Sequence, residues 1–356
     1  MTAPGRPAPL GRRRFLLGTA AALAAAGCAP APRAVPGPGP RFDLAAPAAR
    51  LLRERPLWYG TLPQSFAVDP VHGHLYVTQA VEAGVRLPGD DRPAAAVEGR
   101  SGDLCVNRLD LAGNRLDFMR LKGFGHGVGL GVEQADGEVF VWTEADVNPA
   151  SGYGRALART RYVPGAVLSA ADTDRVTVHR PVPGSTANQP ALDPVTGRLA
   201  VRYRLDGRTR YRVHDLADAR RGAFGSPLAE VAETDLGSGE EDVFQGFAVF
   251  GDFVYRLLGT AYGPASEDGS ESGGNPKDAR GNASVSAIDL RTGEVVERVR
   301  TEAAWSLDWR EPEGIAVDPR GPRLYIGFGG GQGRPWTFTV YAKDRVVGVS
   351  SSSAGR

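Results

Sequence analysis

Five polar residues, Gln64, His126, Asn188, Gln245 and Glu313, head five copies of one pattern in this 356-residue sequence. Amide, imidazole and carboxylate groups drawn around one axis would hold hydroxyls, phosphates or a hard cation by hydrogen bonding and charge. Further groups stand close in the sequence: Trp142 and Glu144, Arg202, Tyr262, and Arg310 just ahead of Glu313. Aromatic faces suit sugar rings and guanidinium forks suit phosphate, so the set reads as a site for a polyol, a sugar or a phosphate-bearing polymer. The competing reading is structural, because polar residues lining a narrow channel also bond to one another and to trapped water.

Signatures of catalysis are missing. The chain has no H-E-x-x-H, no G-x-x-x-x-G-K and no G-x-S-x-G, and its histidines, His72, His74, His126, His179 and His214, lack zinc spacing. His72 and His74 read as exposed turn residues. Glu313 is the one carboxylate of the five, which is thin support for a channel-bound cation such as calcium. No catalytic residue, metal ligand or cofactor is therefore assigned. Glycine fills every second position at Gly123, Gly125, Gly127, Gly129 and Gly131. Period two predicts a strand with one bare face, innermost in a crowded sheet, and not the G-x-G-x-x-G turn that cradles a nucleotide.

The elements that must position these groups repeat. Gln64-Ser65-Phe66-Ala67-Val68-Asp69-Pro70, Asn188-Gln189-Pro190-Ala191-Leu192-Asp193-Pro194 and Glu313-Gly314-Ile315-Ala316-Val317-Asp318-Pro319 are each followed by a turn and a second apolar strand. Two degenerate copies begin at His126 and Gln245, giving intervals of 62, 62, 57 and 68 residues. The longest interval contains a Gly, Ser and Asp rich stretch after Tyr262 that reads as an inserted surface loop. Further strand candidates, such as 104–109 with 115–121 and 285–290 with 295–299, bring each copy to four strands, the content of a propeller blade. The last copy is short by what residues 42–63 supply, so the two chain ends would share a blade. The expected fold is all-β: a single five-bladed β-propeller over residues 42–350, closed by strands from both termini, with a tail at 351–356.

Residues 1–28 read as a targeting segment outside the fold. Arg12-Arg13-Arg14-Phe15-Leu16 follows the twin-arginine pattern, and the weakly apolar run at 16–26 is too short to span a bilayer. Ala25-Ala26-Gly27 ahead of Cys28 resembles a lipoprotein cleavage site, with Cys28 lipidated; secretion without an anchor is the alternative. Residues 29–41, rich in Pro, Ala and Gly, suit an extended tether. The expected location is extracytoplasmic, with membrane contact only through that lipid. A formal net charge of +1 gives no bulk attraction to nucleic acid, and a monomer is expected.

With these segments in view, the chain resembles bacterial proteins labelled teichoic acid biosynthesis protein C, and through them the propeller of certain phage receptor-binding proteins. The resemblance rests on Arg41-Phe42-Asp43-Leu44, Gln64-Ser65-Phe66-Ala67, Gly102-Asp103-Leu104-Cys105, Arg108-Leu109-Asp110-Leu111-Ala112-Gly113-Asn114, residues 123–133, Trp142-Thr143-Glu144, Phe244-Gln245-Gly246 and Arg310-Glu311-Pro312-Glu313-Gly314. It covers about residues 42–343 and implies a five-bladed propeller and recognition of a wall polymer. It carries over no catalytic residues. The function expected is non-catalytic binding of a cell-wall glycopolymer. A hydrolase or lyase using His126 or Glu313 as general base, and a protein-interaction scaffold, are the alternatives.

Overall fold

A computed structural model describes residues 39–89, 101–264 save 235 and 238, 274–331 save 276, and 333–347 save 334 and 345. The proposed signal peptide, Cys28, nearly all of the tether and the 351–356 tail lie outside the described residues. Arg41, placed at the end of the tether, already pairs in a strand.

The chain order is nearly all strand. After β1 (Arg41–Phe42) and β2 (Ala49–Pro56), the first blade runs β3 (Pro63–Val68), β4 (Leu75–Ala80), β5 (Leu104–Leu109) and β6 (Arg115–Lys122). The second is β7 (Leu130–Ala135), β8 (Glu138–Val147), β9 (Gly154–Arg161) and, after β10 (Val167–Ser169) has crossed to pair in parallel with β6, β11 (Val176–His179). The third is β12 (Thr186–Asp193), β13 (Arg198–Leu205), β14 (Arg208–Asp215) and β15 (Ala229–Ala232), with α1 (Leu216–Arg220) between the last two. The fourth is β16 (Phe244–Phe250) and β17 (Phe253–Leu258), interrupted by the hairpin of β18 (Gly263–Pro264) and β19 (Gly274–Asn275), then β20 (Ser284–Asp289) and β21 (Val295–Arg300). The fifth sheet joins β2 to β22 (Glu311–Asp318), β23 (Arg323–Gly330) and β24 (Thr337–Lys343), and β25 (Val346–Val347) pairs with β1.

Burial follows position in the blade. The third strand of the fourth blade, β20, is buried at every residue, whereas the outermost, β21, alternates half-buried and exposed along Val-Val-Glu-Arg-Val-Arg. A strand buried on both faces reads as an unbroken run, and one with a solvated face reads as period two. Five apolar clusters sit one at each junction between consecutive blades, including the junction of the fifth with the first, where Leu52, Phe66, Val77, Tyr325 and Phe338 meet. This arrangement makes the sheets a ring. Cys105 is buried in a smaller cluster, which pushes its thiol up to about 12 and leaves it inert.

The five innermost strands surround an axis lined by residues such as Phe66, Leu130, Ala191, Phe247 and Ile315. The space left there is only about 20 Å³, roughly the room of one water. At this depth of the axis there is too little room for a sugar or phosphate ligand, which leaves the two faces as the candidate sites.

Candidate functional site

The innermost strands all begin on one face, and antiparallel pairing sends most of the long connections there. Segments 81–89, 101–103, 123–129, 239–243, 259–263, 277–283 and 301–310 belong to it, while the first and second strands of each blade join on the opposite face by short turns at 69–74, 136–137, 194–197, 251–252 and 319–322. On the long-loop face the strand starts abut in a collar. Ser65 Oγ donates to the Gly127 carbonyl at 2.6 Å. A Cβ on Gly314 would lie 2.9 Å from Ser65 Cα, and one on Gly246 3.1 Å from Gly314 Cα. Gly129 approaches Gln189 and Pro190 in the same way.

The five expected residues stand beside this collar. Four occupy irregularities: pairing with the second strand skips Gln64, Asn188, Gln245 and Glu313. A bulge of this kind turns a side chain out of the ladder, a recurrent device beside binding sites. His126 lies instead in the irregular segment 123–129, since β7 starts only at Leu130. The strand expected for the alternating glycines is therefore not formed there: Gly123 and Gly127 have φ of +71° and +86°, outside extended backbone. The expected close approach does occur, because a Cβ on Gly125 would meet Glu144 Oε2 at 2.6 Å.

The side chains differ in what they can still bind. His126 is exposed, its ring 5.0 Å from that of Tyr153. Gln64 and Gln245 are half-buried, their amides donating to Pro63 O and Gly259 O. Asn188 is fully buried, accepts from Ser185 Oγ, and keeps an Nδ2 without a partner among the described residues. Glu313 is 4% exposed and makes no hydrogen bond to a described residue. Burial, with a smaller contribution from nearby Glu311, raises its pKa well above the ordinary carboxylate value. Its chain runs over Gly329 of β23, whose missing side chain makes the room.

The remaining expected residues make contacts within the fold. Trp142 is fully buried between the second and third blades, stacked on His179. Glu144, also fully buried, accepts the N–H groups of Gly154 at 2.7 Å, Gly127 at 3.1 Å, Val128 at 3.2 Å and His126 at 3.4 Å. Burial still pushes it up to about 7. Arg202 forks onto Glu233, bonds Gln189 Oε1 and lies 3.6 Å over the Phe244 ring, clamping the third blade to the fourth. Arg310 is fully buried, donates to Thr301 O and Ala303 O, and packs against Phe328 and Tyr262. Tyr262 is buried and donates to Trp305 O.

Sequence reasoning missed an aromatic group on the same face. Trp309 Nε1 donates to Glu311 Oε2 at 2.9 Å, and its ring lies 4.9 Å from Trp336 at an angle of 47°. Trp305, 49% exposed, carries Arg280 over its ring at 5.2 Å. The legible signal was the contiguity of Trp309 with Arg310, Glu311 and Glu313. Trp336 comes from a different loop and no repeat flags it.

Fold and face together define a five-bladed β-propeller that displays polar and aromatic loops on one side of a closed axis. The chain belongs to the family described as the phage 5-bladed beta propeller receptor binding platform domain, whose model matches residues 62–268. It is 29% identical over 161 residues to the putative major teichoic acid biosynthesis protein C of Bacillus subtilis (strain 168), a match covering 45% of this chain and 33% of that protein. It superposes on the tail fiber of Staphylococcus aureus phage P68 with a TM-score of 0.57 at 20% identity, over 85% of this chain and 52% of the fiber. The chain thus spans about a third of the first relative and half of the second. At that identity the fiber shows the fold alone.

Proposed function

We propose that the chain is a non-catalytic, extracytoplasmic module that binds a glycopolymer of the cell envelope, teichoic-acid-like in chemistry, on the long-loop face. In this reading it leaves the cytoplasm through the twin-arginine signal and is either anchored at Cys28 or released. The observation that carries it is the pairing on one face of aromatic rings with polar groups: His126 with Tyr153, and Trp309 with Trp336 beside Glu311. Aromatic faces take the apolar side of a sugar ring while imidazole and carboxylate bond its hydroxyls. The family description, which names receptor binding, and the relative's name, which names teichoic acid, support the same reading.

Glu313 favours a second reading. A buried carboxyl with a raised pKa is a general-acid candidate, which would suit a hydrolase or lyase. Purified wall teichoic acid incubated with the full chain separates the two. Saturable binding with the polymer length unchanged supports the binding module, shortening supports the enzyme, and no binding to any wall fraction overturns both.

A further inference from the structure

On the opposite face, the turn between β3 and β4 reads Asp69-Pro70-Val71-His72-Gly73-His74. One donor atom from each of Asp69, His72 and His74 lies within 4.8 Å of the other two. Asp69 is fully buried, and its Oδ2 is 2.9 Å from His72 Nδ1. Gln134, from the neighbouring blade, reaches both carboxylate oxygens at 3.1 and 3.3 Å and holds the group in place. His74 Nδ1 is buried with no hydrogen-bond partner among the described residues. An imidazole nitrogen shielded from water and left unpaired costs free energy unless something binds it.

We propose that Asp69, His72 and His74 form a binding site for a borderline divalent transition-metal ion of the zinc class. Two imidazoles and a carboxylate are an ordinary zinc donor set, and such a site leaves at least one position to water. The ion takes the place of the hydrogen between His72 Nδ1 and Asp69 Oδ2, with His72 binding as the neutral tautomer that carries its proton on Nε2.

The chain contains its own control. In the third blade the same turn reads Asp193-Pro194-Val195-Thr196-Gly197-Arg198. There Asp193 accepts the N–H groups of Val195 and Thr196, as Asp69 accepts those of Val71 and His72. Bracing the turn is therefore the shared duty of the aspartate, and it needs no histidine: Thr196 Oγ1 simply closes onto Asp193 at 2.6 Å. In the fifth blade the guanidinium of Arg320 does so on Asp318. What sets the first blade apart is the pair of imidazoles. The nearby cations oppose an incoming ion less than their charges suggest, since Arg320 is engaged by Asp318 and Arg108 by Asp117.

The test titrates zinc chloride, and separately cobalt chloride, into the full chain purified without a polyhistidine tag. The expected result is one saturable site, a visible cobalt band, and a zinc-dependent rise in melting temperature. His74→Ala should weaken binding by at least about tenfold. The double change His72→Thr with His74→Arg copies the turn of the third blade, so it should fold and lose both the band and the thermal shift. Absence of saturable binding, or binding retained in these variants or lost instead in His126→Ala, would overturn the proposal.

Discussion

Glu144 Oε1 accepts the backbone N–H of Gly127 at 3.1 Å and so fixes the segment that carries His126. The bond is one of four from backbone N–H groups to this buried carboxylate. Each buried donor left unpaired costs about 1–3 kcal/mol. Glu144→Ala should therefore destabilise the fold by at least about 3 kcal/mol in urea unfolding. Gly125→Ala should destabilise it too, because the added methyl would displace the same carboxylate. A neutral effect of both changes would show that 123–129 is held by something else.

Two buried acids fix the sign of one pH effect. Burial pushes Glu144 up to about 7 and raises Glu313 well above the usual 4.5. A group that holds its proton more tightly when folded stabilises the fold fully below its unfolded value and loses that contribution as pH rises through its folded value. For Glu144 the loss runs from about pH 4.5 to about 7. Glu313→Gln, which keeps the shape without the charge, should raise the melting temperature at pH 8 and change it much less at pH 5. A lower melting temperature at pH 8 would mean that the ionised carboxylate has a partner.

The collar depends on Gly314. Its φ is +87°, and an added Cβ would press to 2.9 Å on Ser65 Cα across the junction of the fifth and first blades. Gly314→Ala should cost more than about 2 kcal/mol, read by calorimetry.

Arg202 separates stability from binding. Its salt bridge to Glu233 is almost wholly buried, with side-chain exposures of 11% and 1%. Removing one partner of such a pair typically costs about 3–5 kcal/mol. Arg202→Met should accordingly lower the denaturation midpoint sharply. A variant of unchanged stability and reduced ligand affinity would place Arg202 at the binding face.

The repeat was legible because every blade buries the same hairpin, so its apolar runs recur in phase, with Asp-Pro turns in the first, third and fifth. The count of five and the sharing of a sheet by residues 49–56 with 311–343 follow from that phase. What the pattern could not give was direction. Trp142 and Glu144 lie on a second strand buried on both faces, where no alternation marks which side meets a ligand. Arg202 and Arg310 looked free because a sequence does not show which carboxylate or carbonyl a guanidinium will reach. Tyr153, Trp309 and Trp336 sit in connections whose lengths vary among blades, outside the repeat. The Asp69, His72 and His74 cluster escaped notice because a turn, unlike a helix with its fixed i, i+4 geometry, gives no spacing rule.

The most direct measurement is calorimetric titration of purified wall teichoic acid into the full chain and into His126→Ala and Trp336→Ala, with melting temperatures taken in parallel. The expected result is saturable binding by the parent chain, weakened by about tenfold or more in each variant, with His126→Ala unfolding at the parent temperature because that side chain is exposed. Binding of equal strength in the parent and both variants would contradict the placement of the site on the long-loop face.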